Sequence, residues 1–168
     1  KRLNSKILFL INGLGLGNST RCHAIIQELL KRNTEVRIVT SENGEWYFNQ
    51  NLPQVKTYIS KNLNYGSHLG KISALHTVFE FPNNFRAFLK NSRQLFKILD
   101  DWAPDVVVTD SIYTTFEIKK RKIPIIAINN ADMVLSGCSK FKDYPKSVLL
   151  QLYFVEFIDY LFHKYVPS

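Results

Sequence analysis

Apolar and polar positions fall in blocks along this chain, and each block has a length and period that suit one kind of element. Residues 6–12 contain Ile7, Leu8, Phe9, Leu10 and Ile11 in succession, the mark of a strand buried on both faces. Residues 20–32 set Cys22, Ile25, Ile26, Leu29 and Leu30 on one helical face, with His23, Gln27 and Lys31 on the other. Residues 35–40 (Val36, Ile38, Val39) read as a second strand, 43–49 as a short helix and 55–59 as a weaker third strand. Residues 60–70 are polar and glycine-containing and read as a mobile loop, followed by a helix over 71–81. Pro82-Asn83-Asn84 is a helix start. Phe85, Phe88, Leu89, Ser92, Leu95, Phe96, Leu99 and Trp102 then line one face before Pro104 ends the helix. Beyond it, residues 105–109 (Val106, Val107, Val108) are a buried strand, 112–120 a helix, 123–128 a strand and 129–144 a loop. Pro145 suits a first helical position for a long, aromatic-rich helix over 146–165. Strands that are apolar throughout, alternating with helices, predict an α/β fold: a Rossmann-like parallel sheet with helices on both faces. Ligands of such sheets bind beyond the carboxyl ends of the strands, where the strand order reverses.

Composition narrows the picture. The 168 residues are 45% hydrophobic, enough for one core and one domain. No uncharged apolar run is long enough to span a membrane. Cys22 and Cys138 lie far apart and supply neither a disulfide framework nor a metal spacing, so a cytoplasmic, reducing setting with no metal and no cofactor is the simplest expectation. The chain starts without Met and stops at Val166-Pro167-Ser168, directly after an apolar segment, and is expected to be a piece of something longer.

A net charge of +8 and a pI near 9.5 call for anionic partners. Nucleic acid is disfavoured, because no recognised binding motif accompanies the charge. Arg86, Lys90, Arg93 and Lys97 recur at helical spacing as a basic stripe, and Lys119-Lys120-Arg121-Lys122 is a second cluster. These are either solvated faces or contacts to an anionic membrane, each such cation contributing about 1 kcal/mol near the surface. The 146–165 segment is apolar almost all round, which points to a buried helix, with burial against a second domain or contact with a membrane interface as the alternatives. Glu156 and Asp159 argue against spanning.

The chemistry concentrates after the first strand. Gly13, Gly15 and Gly17 alternate immediately before a helix. A turn without side chains brings ligands to the backbone N–H groups at the positive end of a helix. The dinucleotide frame Gly-x-Gly-x-x-Gly reaches Asn18 where its third glycine belongs, and no Gly-Lys-Ser/Thr follows to make a P-loop. The structural alternative is a tight strand-to-helix turn and nothing more, although three glycines exceed what such a turn requires.

Gly13-Leu-Gly-Leu-Gly17-Asn18-Ser19-Thr20-Arg21, then Ala24–Arg32 and Glu35–Thr40, together resemble the N-terminal domain of GT-B glycosyltransferases. The similarity is nearest to the branch of the peptidoglycan-lipid N-acetylglucosaminyltransferase and the UDP-sugar transferases. Ala103-Pro-Asp-Val-Val-Val-Thr-Asp-Ser111 and Ile123-Pro-Ile-Ile-Ala-Ile-Asn-Asn130 continue the resemblance in the same order. It implies half of a two-domain, metal-independent enzyme. The N-terminal half binds a lipid or glycan acceptor, and a C-terminal half, absent from this sequence, binds a nucleotide-sugar donor. Gly13, Gly15, Gly17, Ser19 and Arg21 become substrate-binding candidates on the turn, joined by Ser111, Asn129 and Asn130 from later strand ends. One position departs from the family, which commonly shows Gly-x-Gly-His with the His as base. Here it is Asn18, whose amide takes no proton at neutral pH. Either the base lies elsewhere, or the acceptor arrives anionic, or Asn18 only orients it.

Among acid–base groups, Asp110 stands at the carboxyl end of a buried strand and is the best remaining base, provided burial raises its pKa. Equally, Asp110 or Ser111 could N-cap a helix starting near Ile112. Asn129, Asn130 and Asp132 could bind sugar hydroxyls or simply form a turn rich in Asn and Asp. His23 reads as a solvated surface residue, and Glu80, His68 and His76 each as structural or solvated. Two other classes stay open: a nucleotide- or dinucleotide-binding Rossmann module, and a non-catalytic subunit that brings a separate catalytic chain to a membrane.

Overall fold

The computed structural model describes residues 5–61, 67–68, 71–72, 81–112 and 115–128. Their elements run β1 (Lys6–Ile11), α1 (Leu16–Lys31), β2 (Glu35–Thr40), α2 (Glu42–Asn51), β3 (Lys56–Ile59), β4 (Ser67–His68), β5 (Lys71–Ile72), α3 (Phe81–Trp102), β6 (Val106–Asp110), α4 (Phe116–Lys120) and β7 (Ile125–Ile128). β4 and β5 pair antiparallel as a separate two-stranded ribbon. The other five strands form one sheet in the order β3-β2-β1-β6-β7, every neighbouring pair parallel. The expected Rossmann-like α/β architecture is the observed one.

Period-two alternation along β1 divides its apolar run between two layers. Phe9 and Ile11, with Ile38 of β2 and Val108 of β6, face Cys22 and Ile26 of α1, Phe48 of α2 and Leu52 at its C-cap. Leu8 and Leu10, with Val39 and Val107, face Leu95, Ile98, Leu99 and Trp102 of α3 and Ile118 of α4. Both faces are covered, which is why β1, at the centre of the sheet, carries no polar alternation. From β1 the chain winds to β2 and β3 on one side, then crosses to β6 and β7 on the other. The strand order therefore reverses between β1 and β6, and the crevice outside their carboxyl ends is the natural ligand position.

Several expectations are corrected. α1 starts at Leu16, not residue 20, so Gly17, Asn18 and Ser19 belong to its first turn. A helix expected over 71–81 is replaced at its start by β5, whose Lys71 and Ile72 pair with the preceding strand. The helix expected over 112–120 shortens to Phe116–Lys120, because Ser111 has φ 58° and turns the chain out of β6 before a helix can start. The buried side of α3 is built from Ala87, Leu95, Ile98, Leu99 and Trp102, and Leu89, assigned to that face, is 41% exposed. The loop and long helix expected over 129–165, with Asn129, Asn130 and Asp132, lie outside the described residues, as do the side chains of Phe85, Phe88, His68, His76 and Glu80. Among the described residues no helix is long and apolar enough to cross a membrane.

Candidate functional site

The crevice at the β1–β6 junction is built from two turns stacked against each other. Asn12 continues the register of β1, its N–H donating to the Asp110 carbonyl at 3.0 Å. Its side-chain Oδ1 accepts the N–H of Leu14 at 3.0 Å, which folds the chain over into the glycine segment. Gly13 then passes directly against the turn that joins β2 to α2. Its N–H donates to Ser41 Oγ at 3.3 Å, and a Cβ at this position would overlap the Ser41 carbonyl oxygen. Gly44, in the first turn of α2, is equally confined, because a Cβ there would overlap Thr40 Oγ1 and press on Gly13 Cα. Asn43 Nδ2 completes the junction by donating to the Leu14 carbonyl at 3.3 Å. Gly15 and Gly17 differ: a Cβ on either would meet no atom within 4 Å. The three glycines therefore do two jobs. Gly13 is a packing residue, whereas Gly15 and Gly17 leave open space over the start of α1.

Gly15 is the N-cap of α1 with extended backbone, and no side chain caps the helix. The first N–H groups of an α-helix have no intrahelical partner, and here no side chain of the N-cap residue supplies one. Leu14 and Leu16 are both exposed beside them.

Beneath the turn sits the central polar contact of the region. Asp110, at the last position of β6, is 0% exposed. Arg21, one turn further along α1, donates to it from Nε (3.1 Å to Oδ2) and from Nη2 (2.8 Å to each oxygen). Cys22 Sγ donates to Oδ2 at 3.4 Å, and Ser111 Oγ to Oδ1 at 3.2 Å. Burial, then the neighbouring Asp110 charge, push the Cys22 thiol up to about 12, so it stays protonated and acts as a donor. Arg21 Nη2 also reaches Asn18 Oδ1 at 3.2 Å, while Asn18 Nδ2 leans on the Asn12 carbonyl at 3.4 Å. Asn12 Nδ2 closes the circle on the Ser111 carbonyl at 3.5 Å.

The structure thus brings Gly13, Gly15, Gly17, Asn18, Arg21, Asp110 and Ser111 together at one sheet edge. It does not give them the expected parts. Asp110 faces no open space, and its oxygens are engaged by Arg21, Cys22 and Ser111. It caps no helix either, since α4 begins only at Phe116. Ser19 lies inward rather than toward a substrate, fully buried, with its Oγ unpaired among the described residues. His23 is half-buried, not solvated: its Nδ1 pairs with Tyr47 OH at 2.8 Å across the α1–α2 contact. Asn12, Ser41, Asn43 and Gly44 were missed. For the last three the signal available was the Ser41-Glu42-Asn43-Gly44 string after the second strand, a turn-forming composition.

The basic surfaces also divide. Arg86, Lys90, Arg93 and Lys97 are all exposed on the side of α3 opposite its core face, and none makes a salt bridge to a described residue. In the second cluster, Arg121 is tied down by Asp100 at 2.7 Å and Glu117 at 3.1 Å, over the ring of Phe96.

A family model described as glycosyl transferase family 1 matches residues 5–151. An uncharacterized glycosyltransferase of Methanosarcina mazei is 32% identical over 136 residues, which cover 76% of this chain and 34% of the relative. One from Methanosarcina acetivorans is 30% identical with the same coverage. The chain thus spans about a third of the length of these relatives. Among solved structures, the calicheamicin glycosyltransferase CalG4 superposes with a TM-score of 0.53 at 15% identity, over 89% of this chain and 42% of its own. That likeness is one of fold.

Two substitutions separate the glycine roles. Gly13→Ala drives a Cβ into main chain and should destabilise the protein by more than 1 kcal/mol, within the roughly 1–3 kcal/mol range of overpacking. Gly17→Ala, in open space on a helix, should stabilise it by about 0.5–1 kcal/mol. Urea unfolding of the two variants measures both, and equal destabilisation would contradict the division.

Proposed function

The chain belongs to glycosyl transferase family 1, and on that premise we propose that it forms the acceptor-binding half of a two-domain GT-B glycosyltransferase. The donor-binding half corresponds, on this reading, to the length of the relatives that this chain does not span. The transferred sugar comes from a nucleotide-sugar, UDP-linked, and goes to a hydroxyl or ionised oxygen of a cell-envelope lipid or glycan, without a metal. The branch nearest in motif is that of the peptidoglycan-lipid N-acetylglucosaminyltransferase.

One observation carries this reading. An uncapped helix start, opened by Gly15 and Gly17, stands at the β1–β6 reversal of a parallel sheet. Ligands bind at that point in such sheets, and an uncapped helix start suits phosphate or a polarised oxygen. Gly15, Gly17 and Asn18 are the substrate-binding residues of this half, with Arg21 and Ser111 in support; Gly13 and Ser19 shape the turn. Asp110 serves as the anchor of Arg21, not as a base: a base needs a free lone pair within reach of the proton it takes, and this carboxylate is enclosed by donors. Asn129 and Asn130 follow β7 and are retained as candidates for sugar hydroxyls. The dinucleotide alternative is disfavoured by Asn18 in place of the third fingerprint glycine.

The test is transfer itself. The longer protein containing this chain, given UDP-[14C]sugars and a polyprenyl-phosphate-linked acceptor extract, should move label into the organic phase. Asn18→Ala and Gly15→Val should lower the rate at least tenfold. No transfer to any lipid or glycan, together with micromolar binding of NAD to the chain, would overturn the proposal.

A peripheral membrane position for the enzyme is proposed from the exposed stripe of Arg86, Lys90, Arg93 and Lys97. At about 1 kcal/mol per cation near an anionic surface, replacing all four by Ala should weaken binding to phosphatidylglycerol vesicles by several hundred-fold. Unchanged co-sedimentation would show that the stripe is only a solvated face.

A further inference from the structure

Asn12 stands where the ladder between β1 and β6 ends. Ile11 pairs with Asp110 as its last rung, so Asn12 comes opposite Ser111. There β6 leaves the sheet, because Ser111 takes a positive φ of 58°, and β1 leaves it into the glycine segment. The two chains part at this point and form the floor of the crevice. Asn12 engages both sides through all four of its polar atoms. Toward its own segment, Oδ1 accepts the Leu14 N–H at 3.0 Å, and the main-chain carbonyl accepts Asn18 Nδ2 at 3.4 Å. Toward β6, the main-chain N–H donates to the Asp110 carbonyl at 3.0 Å, and Nδ2 donates to the Ser111 carbonyl at 3.5 Å. The side chain thus supplies the rung that the backbone no longer makes. From its other end the same turn is held by Thr109 Oγ1, which donates to the Ile112 carbonyl at 2.6 Å. A non-glycine residue with positive φ persists where its surroundings over-determine it, and here two side chains do so.

We infer that Asn12 is a positioning residue for the transfer reaction, and that it sets the separation between the glycine segment and the Ser111 turn. This rests on the acceptor-binding reading of the crevice and adds a residue to it. The task requires an amide. One end of the side chain must accept, to fold Leu14 back in the local turn, and the other must donate, to reach a carbonyl. An aspartate would accept at both ends, and a serine is too short for the second contact. The two sides of the crevice floor then meet a bound group at one spacing. A small misplacement of reacting groups is costly in rate even where binding survives. Asn12 acts through Leu14, Asn18 and Ser111 rather than on the reacting atoms.

Asn12→Ser separates the two contacts, because a serine hydroxyl still accepts the N–H two residues on but does not extend to Ser111. In the 15N-labelled chain, the Leu14 N–H should keep its protection from hydrogen exchange. The Ile112 amide, next to the released carbonyl, and the Asn18 side-chain amide should shift. In the longer protein containing this chain, Asn12→Ser should lower kcat by about tenfold or more, with the KM for the nucleotide-sugar and the Tm unchanged. Asn12→Asp, which sets a carboxylate oxygen against the Ser111 carbonyl, should lose at least as much. Asn12→Ala should lose the protection of Leu14 as well and unfold at a lower temperature. Full turnover by Asn12→Ser, or a loss that only follows a lower Tm, would overturn the inference and leave sugar transfer standing. So would unshifted Ile112 and Asn18 signals. Absence of transfer by the unsubstituted protein would instead overturn the transfer reading, and the inference with it.

Discussion

The buried carboxylate of Asp110 is the constraint on which the rest of this region depends. A carboxylate withdrawn from water is costly unless it is paired and hydrogen-bonded. Its pairing with Arg21 links the end of β6 to the second turn of α1. That contact sets where α1 sits over the sheet, and hence where its uncapped first turn opens. It also orients Asn18, reached by the same Nη2. Cys22 and Ser111 add two donors whose place is fixed by the elements that carry them, α1 and the positive-φ turn after β6. With Asp110 fully buried and Arg21 still 28% exposed on its side chain, the pair keeps its negative end inside and presents a cationic, donor-only group toward the edge of the crevice.

A second, steric constraint works with the first. The turns after β1 and β2 touch through Gly13, Ser41 and Gly44, where neither glycine has room for a methyl group. Stacking the turns fixes the entry of α1 from the other side, so the glycine segment is held between a backbone contact and an ion pair. This division explains why three glycines occur where one would make the turn: one is needed for approach of protein backbone, two for the absence of anything above the helix start. A rigid, bare helix N-terminus is well suited to a charged ligand, and glycosyl transfer from a nucleotide-sugar supplies charge in abundance.

How much of this was legible in sequence follows from the range of each interaction. Short groups of β-branched and apolar residues define strands locally, so β2 appears at Glu35–Thr40 in both sequence and structure, and the parallel α/β layering follows from the alternation of such strands with helices. Helix starts were harder to read. Gly17 and Asn18 have low helical propensity, yet α1 incorporates both, because Gly13 and the Asp110 clamp place the helix independently of propensity. Leu89 was assigned to the core face of α3 from spacing alone, although the packed stripe is centred on Leu95, Ile98, Leu99 and Trp102. The site residues themselves were legible as a group, since glycines after one strand and Asp110 after another both stand at carboxyl ends. Their roles were not. Whether Asp110 is a free base or a clamped anchor turns on Arg21, 89 positions away in the chain, and nothing in local pattern pairs the two. His23 illustrates the same limit, its partner Tyr47 lying on a different helix.

The most direct test of the account is a double-mutant cycle on unfolding free energy with Arg21→Met and Asp110→Asn. If the pair anchors the turn, the two substitutions should be coupled by roughly 1–3 kcal/mol, as expected of residues sharing one hydrogen-bonded network. Additivity within about 0.5 kcal/mol would show that Arg21 and Asp110 act independently, and the anchoring role given to them would fall.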